Sequence, residues 1–279
     1  MALRDIVVHV DESPRAAARI ELACAIAARH GARLTGVFVT PLSPAFDPEV
    51  AERAFREFLA SVAERERAAA AAAEAAFRRR AEAAGVAAEW RALHGDPATL
   101  LAVSARYADL AVLGQTPPDG PIPAGSEALP ERVLIGGGGP ALIVPHYGAF
   151  ATAGERALVA WDASATAARA VRDALPLLAT AAQVTVLAVN PDASRARHGD
   201  APGSDIALHL ARHGVKVETA VTYSEEVGVG DMVLSRAADL GVDLIVMGAY
   251  GHARLREVLL GGVTRHVLAH MTAPVLMSH

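Results

Sequence analysis

Cysteine is almost missing: Cys24 is the single one in 279 residues. No internal disulfide and no cysteine-based zinc cluster can therefore form. Within its Ala-rich helical pattern, Cys24 reads as a small buried hydrophobe. Aromatic residues supply only 4% of the chain against 52% apolar residues, so any core must be built from Ala, Val and Leu. Basic residues (26) are outnumbered by acidic ones (31), a net charge of −5, and the footprint expected of a nucleic-acid binder is absent. No apolar run approaches the roughly 20 residues that span a bilayer. The first apolar run is too short for a cleavable signal and is broken by His9 and Asp11, so a cytoplasmic chain without a membrane partner is expected.

Several chemistries are missing as well. There is no G-x4-G-K-[ST] phosphate loop and no G-x-S-x-G nucleophile elbow. His209 and His213 are four apart, as are His266 and His270, but neither pair has a cysteine or an evident carboxylate partner in sequence. They read as solvated or capping residues, and no metal site is expected. No base–nucleophile pair supports an enzyme, so no catalytic residue is assigned.

What is present is a regular alternation of two kinds of segment. Short Val/Ile-rich runs at 6–10, 33–39, 87–93, 109–114 and 141–144 suit strands buried on both faces. Helical patterns fall between them. Ser13 and Pro14 are placed to cap and open a helix that runs to His30 and stops at Gly31. A long Ala/Glu/Arg helix is expected over 49–84, with a stripe of Phe55, Phe58, Leu59 and Val62 to pack on the sheet or on a partner chain. Its Glu64–Arg67 and Arg78–Arg80 charges read as a solvated face. Asp96 caps a helix beginning at Pro97, and a further helical piece covers 129–135. The order then returns, with strands at 156–161, 184–189 and 215–221 and helices to Ala179, over 206–213 and over 231–240. Strands alternating with helices imply right-handed crossovers and a parallel α/β sheet with helices on both faces.

Fixed offsets show that this order is a repeat. Asp11 and Asp162, like Ser13 and Ser164, are 151 positions apart. Asp109 and Asp243, Gly114 and Gly248, and Pro140 and Pro274 are each 134 apart. The second copy is 17 residues shorter, most of it where the first has its long helix. The chain divides into units 1–148 and 154–279, joined by a loop of small residues.

The segment from Asp243 to His279 carries the most information. DLIVMG reads as a buried strand, Leu255, Val258, Leu259, Val263, Val267 and Leu268 recur at helical spacing, and Pro274 opens a last short strand. Between strand and helix, Gly248, Gly251, Gly261 and Gly262 leave backbone and free helix N–H groups open to an anion. This G-x2-G-x9-G-G-x-T arrangement resembles the nucleotide signature of the universal stress protein family, G-x2-G-x9-G-[ST], with Gly262 where Ser or Thr is usual.

The resemblance covers nearly the whole sequence and identifies a tandem member. It implies two doubly wound, five-stranded sheets of strand order 3-2-1-4-5, an adenine nucleotide alpha hydrolase-like fold. The two are expected to pair through 141–144 and 275–277 as a pseudo-dimer within one chain. It also implies a stress-response protein that binds ATP or another adenine nucleotide, a magnesium ion with it, beyond the strand ends where strand order reverses. In the second unit Asp162 would hold the adenine or ribose side and the backbone around Val189 the base. Met247, Gly248, Gly251, Gly261, Gly262 and Val263 would surround the phosphates, with polar contacts from His252, Arg254 and Thr264. The missing hydroxyl at 262 removes a hydrogen bond worth roughly 0.5–1.5 kcal/mol, or up to about 3 to a charged acceptor.

In the first unit the corresponding positions hold Pro117, Glu127, Ala128 and Pro130. Proline has no N–H, and a carboxylate repels phosphate, so this copy is expected to be degenerate. The Gly136–Gly139 run falls opposite residues 270–273 and reads as a helix stop. A homodimer and a further protein partner are candidate assemblies. The competing readings are a stress protein acting by protein contacts alone, and an enzyme of the related fold. The residues after the first strand of each unit, DESP and DAS, lack the phosphate loop that such an enzyme would place there.

Overall fold

The computed structural model describes residues 2–41, 53–117, 126–191, 201–250 and 262–279, with the helical backbone alone at 53–57. In the first unit β1 (Asp5–Val10), α1 (Ala16–His30), β2 (Arg33–Thr40), α2 (Arg53–Ala83), β3 (Ala88–His94), α3 (Pro97–Ala105), β4 (Leu110–Gly114), α4 (Leu129–Gly137) and β5 (Ala141–Val144) follow one another. The second continues with β6 (Arg156–Ala160), α5 (Ala165–Leu178), β7 (Gln183–Val189), α6 (Ser204–Arg212), β8 (Val217–Thr222), α7 (Val229–Asp239), β9 (Leu244–Gly248), α8 (Gly262–His270) and β10 (Val275–Ser278).

The strands form one ten-stranded sheet of order β3-β2-β1-β4-β5-β10-β9-β6-β7-β8. Each half has the expected 3-2-1-4-5 order, and every pairing is parallel except the central β5–β10 ladder. There Leu142 faces Leu276, its own repeat counterpart 134 positions on, with Ile143 opposite Val275 and Ala141 opposite Met277. A pseudo-twofold axis therefore runs through the Leu142–Leu276 pair. Each unit supplies the strand that covers the other's apolar edge.

Successive strand residues point to opposite faces, so the sheet has two apolar layers. Ile6, Val8 and Val10 pack with α1, α2, α5 and α6, while Val7, Val37 and Val39 belong to the layer of α3, α4, α7 and α8. Both layers run unbroken across the two units. Where the small-residue core does contain aromatics, glycine makes the space: a Cβ at Gly36 would lie 2.9 Å from Trp90 and 3.0 Å from fully buried Phe77.

Two local expectations are corrected. Ser13 does not cap α1, which begins after Arg15 without a side-chain cap. The Ser13 hydroxyl instead donates to Asp11 Oδ1 at 2.6 Å, so its oxygen is committed to the loop. On α2, Phe58 and Leu59 are 56% and 38% exposed, which overturns the sheet-packing alternative for them and leaves the partner-chain one untouched. Phe77 and Ala81, nearer the C-terminal end of α2, pack in the sheet layer. The side chain of Phe55 lies outside the described residues. The Asp96 cap is present, accepting from the Thr99 N–H at 2.8 Å. The glycine run does stop α4, with Gly138 in the left-handed region.

Candidate functional site

In the second unit β6 lies between β7 and β9, with Ala160 level with Leu187 on one side and Met247 on the other. Their C-terminal ends therefore bring Asp162, Val189 and Gly248 to one edge of the sheet, at the point where strand order reverses. Asp162 is exposed, and its Oδ1 accepts the Ser164 N–H at 2.9 Å, closing a turn through Ala163 at φ 56°. Ser164 then caps α5, its hydroxyl accepting the Ala167 N–H at 3.1 Å. Val189 is half-buried at the end of β7. Beyond it, Asn190 makes two hydrogen bonds to the Ser224 backbone, tying the β7 and β8 ends together at 2.7 and 2.8 Å.

Met247 is buried in the sheet, at 5% exposure. Gly248 serves a close approach: a Cβ there would lie 2.5 Å from the Ala167 nitrogen and 2.6 Å from the Thr166 carbonyl carbon. Its side-chain direction is thus filled by the first turn of α5, where ligand room had been expected. Tyr250 follows at φ 57°, with its N–H 3.5 Å from the buried Thr264 hydroxyl. Gly262 opens α8, and a Cβ on it would meet nothing within 4 Å among the described residues. Val263 beside it is 37% exposed. Gly251, His252, Arg254 and Gly261, with the helical pattern over Leu255, Val258 and Leu259, lie outside the described residues.

The equivalent place in the first unit is occupied by the protein itself. Arg19 of α1 is 3% exposed and donates from Nε to the His9 carbonyl at 2.6 Å. Its Nη2 is 2.9 Å from Asp11 Oδ1, and its Nη1 would be 2.2 Å from a Cβ on Gly114. The guanidinium thus covers the end of β4 and neutralises the aspartate that corresponds to Asp162. Burial alone would raise the Asp11 carboxyl, but Arg19, His9 and the Ser13 hydroxyl together hold it down to about 2. His9 is pushed down to about 4 by burial and by Arg19, against the opposing pull of Asp11. A cavity of 210 Å³ opens beside Asp11 between α1 and α2, with Ala16, Ala17, Ala73, Ala76 and Arg80 in its lining. It is smaller than the ~300–1,000 Å³ of most ligand pockets.

Sequence reasoning missed Arg19, although the signal was there: at the 151-residue offset its counterpart is Ala170. It also missed a carboxylate for one histidine pair. His266 Nε2 is 2.8 Å from Asp231 Oδ1, and its ring stacks on His270 at 4.4 Å. Asp231 lies on the neighbouring helix α7, so spacing within α8 could not reveal it. Among the described residues no group of three or more His, Cys, Asp or Glu is placed to hold a metal ion, and no helix is long and apolar enough to cross a membrane.

Residues 2–135 and 154–279 each match the model of the universal stress protein family. Universal stress protein MJ0577 of Methanocaldococcus jannaschii is 44% identical over 74 residues, 26% of this chain and 43% of that protein. Universal stress protein Slr1230 of Synechocystis is 35% identical over 69 residues, 25% of this chain and 22% of that one. The matched stretches thus span less than half of either relative. The crystal structure of a universal stress protein from Archaeoglobus fulgidus superposes with a TM-score of 0.74 at 19% identity, covering 98% of this chain and 95% of its own. That likeness shows the fold across both units, and with the two family matches it establishes that the chain belongs to the universal stress protein family, as a tandem member.

Proposed function

We propose that the protein is a cytoplasmic regulatory stress protein that binds one adenine nucleotide per chain, at the β6/β9 edge of its second unit. The contrast between the two switch points carries this reading. Asp11 is neutralised by a buried arginine, whereas Asp162 has the Ser164 N–H as its one partner among the described residues. Ala170, in the place of Arg19, brings no guanidinium to that edge. An ionised carboxylate there can accept hydrogen bonds from ribose hydroxyls, and the first N–H groups of α8 can donate to phosphate oxygens. Backbone at the end of β7, held by Asn190 and Ser224, offers hydrogen bonds to the base. The residues fit the ligand at each of these points except position 262, where glycine supplies an N–H without a hydroxyl. Binding is therefore weaker than with Ser or Thr there. A magnesium ion would be carried by the phosphates, since the site offers it no cluster of ligands among the described residues. The reading includes no catalytic role beyond slow, incidental hydrolysis.

Isothermal titration with ATP, ADP and AMP tests it, together with mass spectrometry of nucleotide released from the purified protein by denaturation. One site per chain, weakened by Asp162→Asn, is the expected outcome. An absence of heat and of thermal shift at millimolar nucleotide would favour a protein acting by protein contacts alone. Two sites per chain would contradict the role given to Arg19. Release of labelled product from ATP well above background would return the enzyme reading.

A further inference from the structure

The residue after β4 in the first unit is Gln115, 6% exposed. Its amide nitrogen crosses the pseudo-twofold axis and donates to the carbonyls of Leu268 and Ala269, at 2.7 and 3.2 Å. Its oxygen accepts from the His146 backbone N–H at 2.9 Å and lies 2.8 Å from the His146 ring Nδ1. Leu268 and Ala269 belong to the last turn of α8, whose final carbonyls have no partner within the helix. No glycine follows to cap them, since the chain continues Met271, Thr272, Ala273. The counterpart helix α4 instead ends at Gly138, at φ 76°. The Gln115 contact itself has no repeat counterpart, because position 249 is an alanine without a side-chain donor; the end of α4 receives Arg169 of α5 instead, which donates to the Gly138 carbonyl at 2.6 Å.

In an intact copy, the residues after the fourth strand begin that copy's own phosphate loop. Here the backbone at this position is held as in the second unit, the Gln115 N–H donating to the Val144 carbonyl and the Ala249 N–H to that of Ser278, at 2.8 and 2.9 Å. It is the Gln115 side chain that reaches across to α8. At about 1.5 Å per residue, the nine residues of α8 form a rigid rod about 14 Å long. A clamp on its last turn therefore fixes the direction of the N–H groups in its first.

We propose that Gln115 is a positioning residue for nucleotide binding in the second unit, so that the first unit, unable to take nucleotide itself, tunes the affinity of its neighbour through the C-terminal end of α8. This rests on the reading that the second unit binds an adenine nucleotide. The full-length protein carrying Gln115→Met, which keeps size and removes both donor and acceptor, should bind ATP about five- to tenfold more weakly. Arg106→Met is the control; it removes two hydrogen bonds from Arg106 to the Gly136 carbonyl within the first unit and should leave affinity unchanged. Coupling between sites is reciprocal, so saturating ATP should slow hydrogen exchange at the His146 N–H in the unsubstituted protein and not in Gln115→Met. If the unsubstituted protein takes no ATP, the underlying reading fails. If it binds and Gln115→Met, measured where it is fully folded, binds equally well with His146 exchange indifferent to ATP, the positioning role is refuted. An equal loss in Arg106→Met would refute it too, since the effect would then be general loosening of the first unit.

Discussion

Gly248 and Gly262 sit at the two ends of the same glycine-rich segment, yet alanine should act oppositely at each. At Gly248 the added Cβ would stand 2.5 Å from the Ala167 nitrogen, 2.6 Å from the Thr166 carbonyl carbon and 2.7 Å from the Thr166 hydroxyl. Carbon contacts settle at about 3.5–4.0 Å, so the first turn of α5 would have to retreat by about 1 Å. Two of the three atoms are backbone and cannot rotate away. Moving them also strains the Ser164 cap, whose hydroxyl holds the Ala167 N–H. Overpacking of this kind costs about 1–3 kcal/mol, and loss of the cap adds about 1 kcal/mol. Gly248→Ala should therefore be destabilised by about 2–4 kcal/mol, or several degrees in Tm at this chain length. At Gly262 nothing described lies within 4 Å, and alanine is favoured over glycine in a helix by up to about 1 kcal/mol. Urea unfolding followed by far-UV circular dichroism measures both substitutions in one series. Equal midpoints for the two variants, or a Gly248→Ala protein as stable as the unsubstituted one, would show that the strand end does not press on α5.

Acid should weaken the fold through the first unit's buried cluster. His9 binds its proton near pH 4 when folded against 6.5 ordinarily, so the unfolded chain takes the proton first. Stability that is complete above pH 6.5 then falls by about 3 kcal/mol as pH drops through 4. Asp11 follows the same sign lower down, its contribution being present above 3.8 and lost as pH falls toward 2. Urea midpoints that do not move between about pH 7 and pH 4.5 would contradict the linkage expected for such buried groups. Gly262→Ser should tighten ATP binding by about ten- to a hundredfold, the value of a hydroxyl donated to a charged acceptor; titration showing no gain would place the phosphates away from α8. Leu142→Ala and Leu276→Ala should each cost about 2–5 kcal/mol. Because the two face each other, their double variant should fall short of the sum, and strict additivity would refute direct coupling across the axis.

The fold was legible because its signals are local and repeated. Strand runs such as 141–144, helix stops such as Gly31 and the 134- and 151-residue offsets all lie in the order of the chain. The central ladder was expected only through the family resemblance; nothing in the strand segments 141–144 and 275–277 by themselves names the other as its partner. What escaped depends on groups distant in sequence. Arg19 reads as one more charged residue on a helix until Gly114, 95 positions later, is seen to lie beneath its guanidinium. Asp231 reaches His266 from another helix. Ser13 was assigned by a local rule, but its hydroxyl is taken by Asp11, itself drawn toward Arg19. Of the candidate site, the strand-end residues Asp162, Val189 and Gly248 converge as the topology requires. Gly248 is also required by the close approach of α5, a constraint its motif does not reveal.

The ladder between β5 and β10 joins two units whose meeting does not depend on dilution, because they share one polypeptide. Two identical subunits meeting across such a seam would each have to carry every change, so an arginine closing one cleft would close both. Covalent linkage removes that constraint. One half can give up its cleft and be reshaped as a support while the other keeps its own, and the protein becomes a pair of unequal partners in fixed one-to-one proportion.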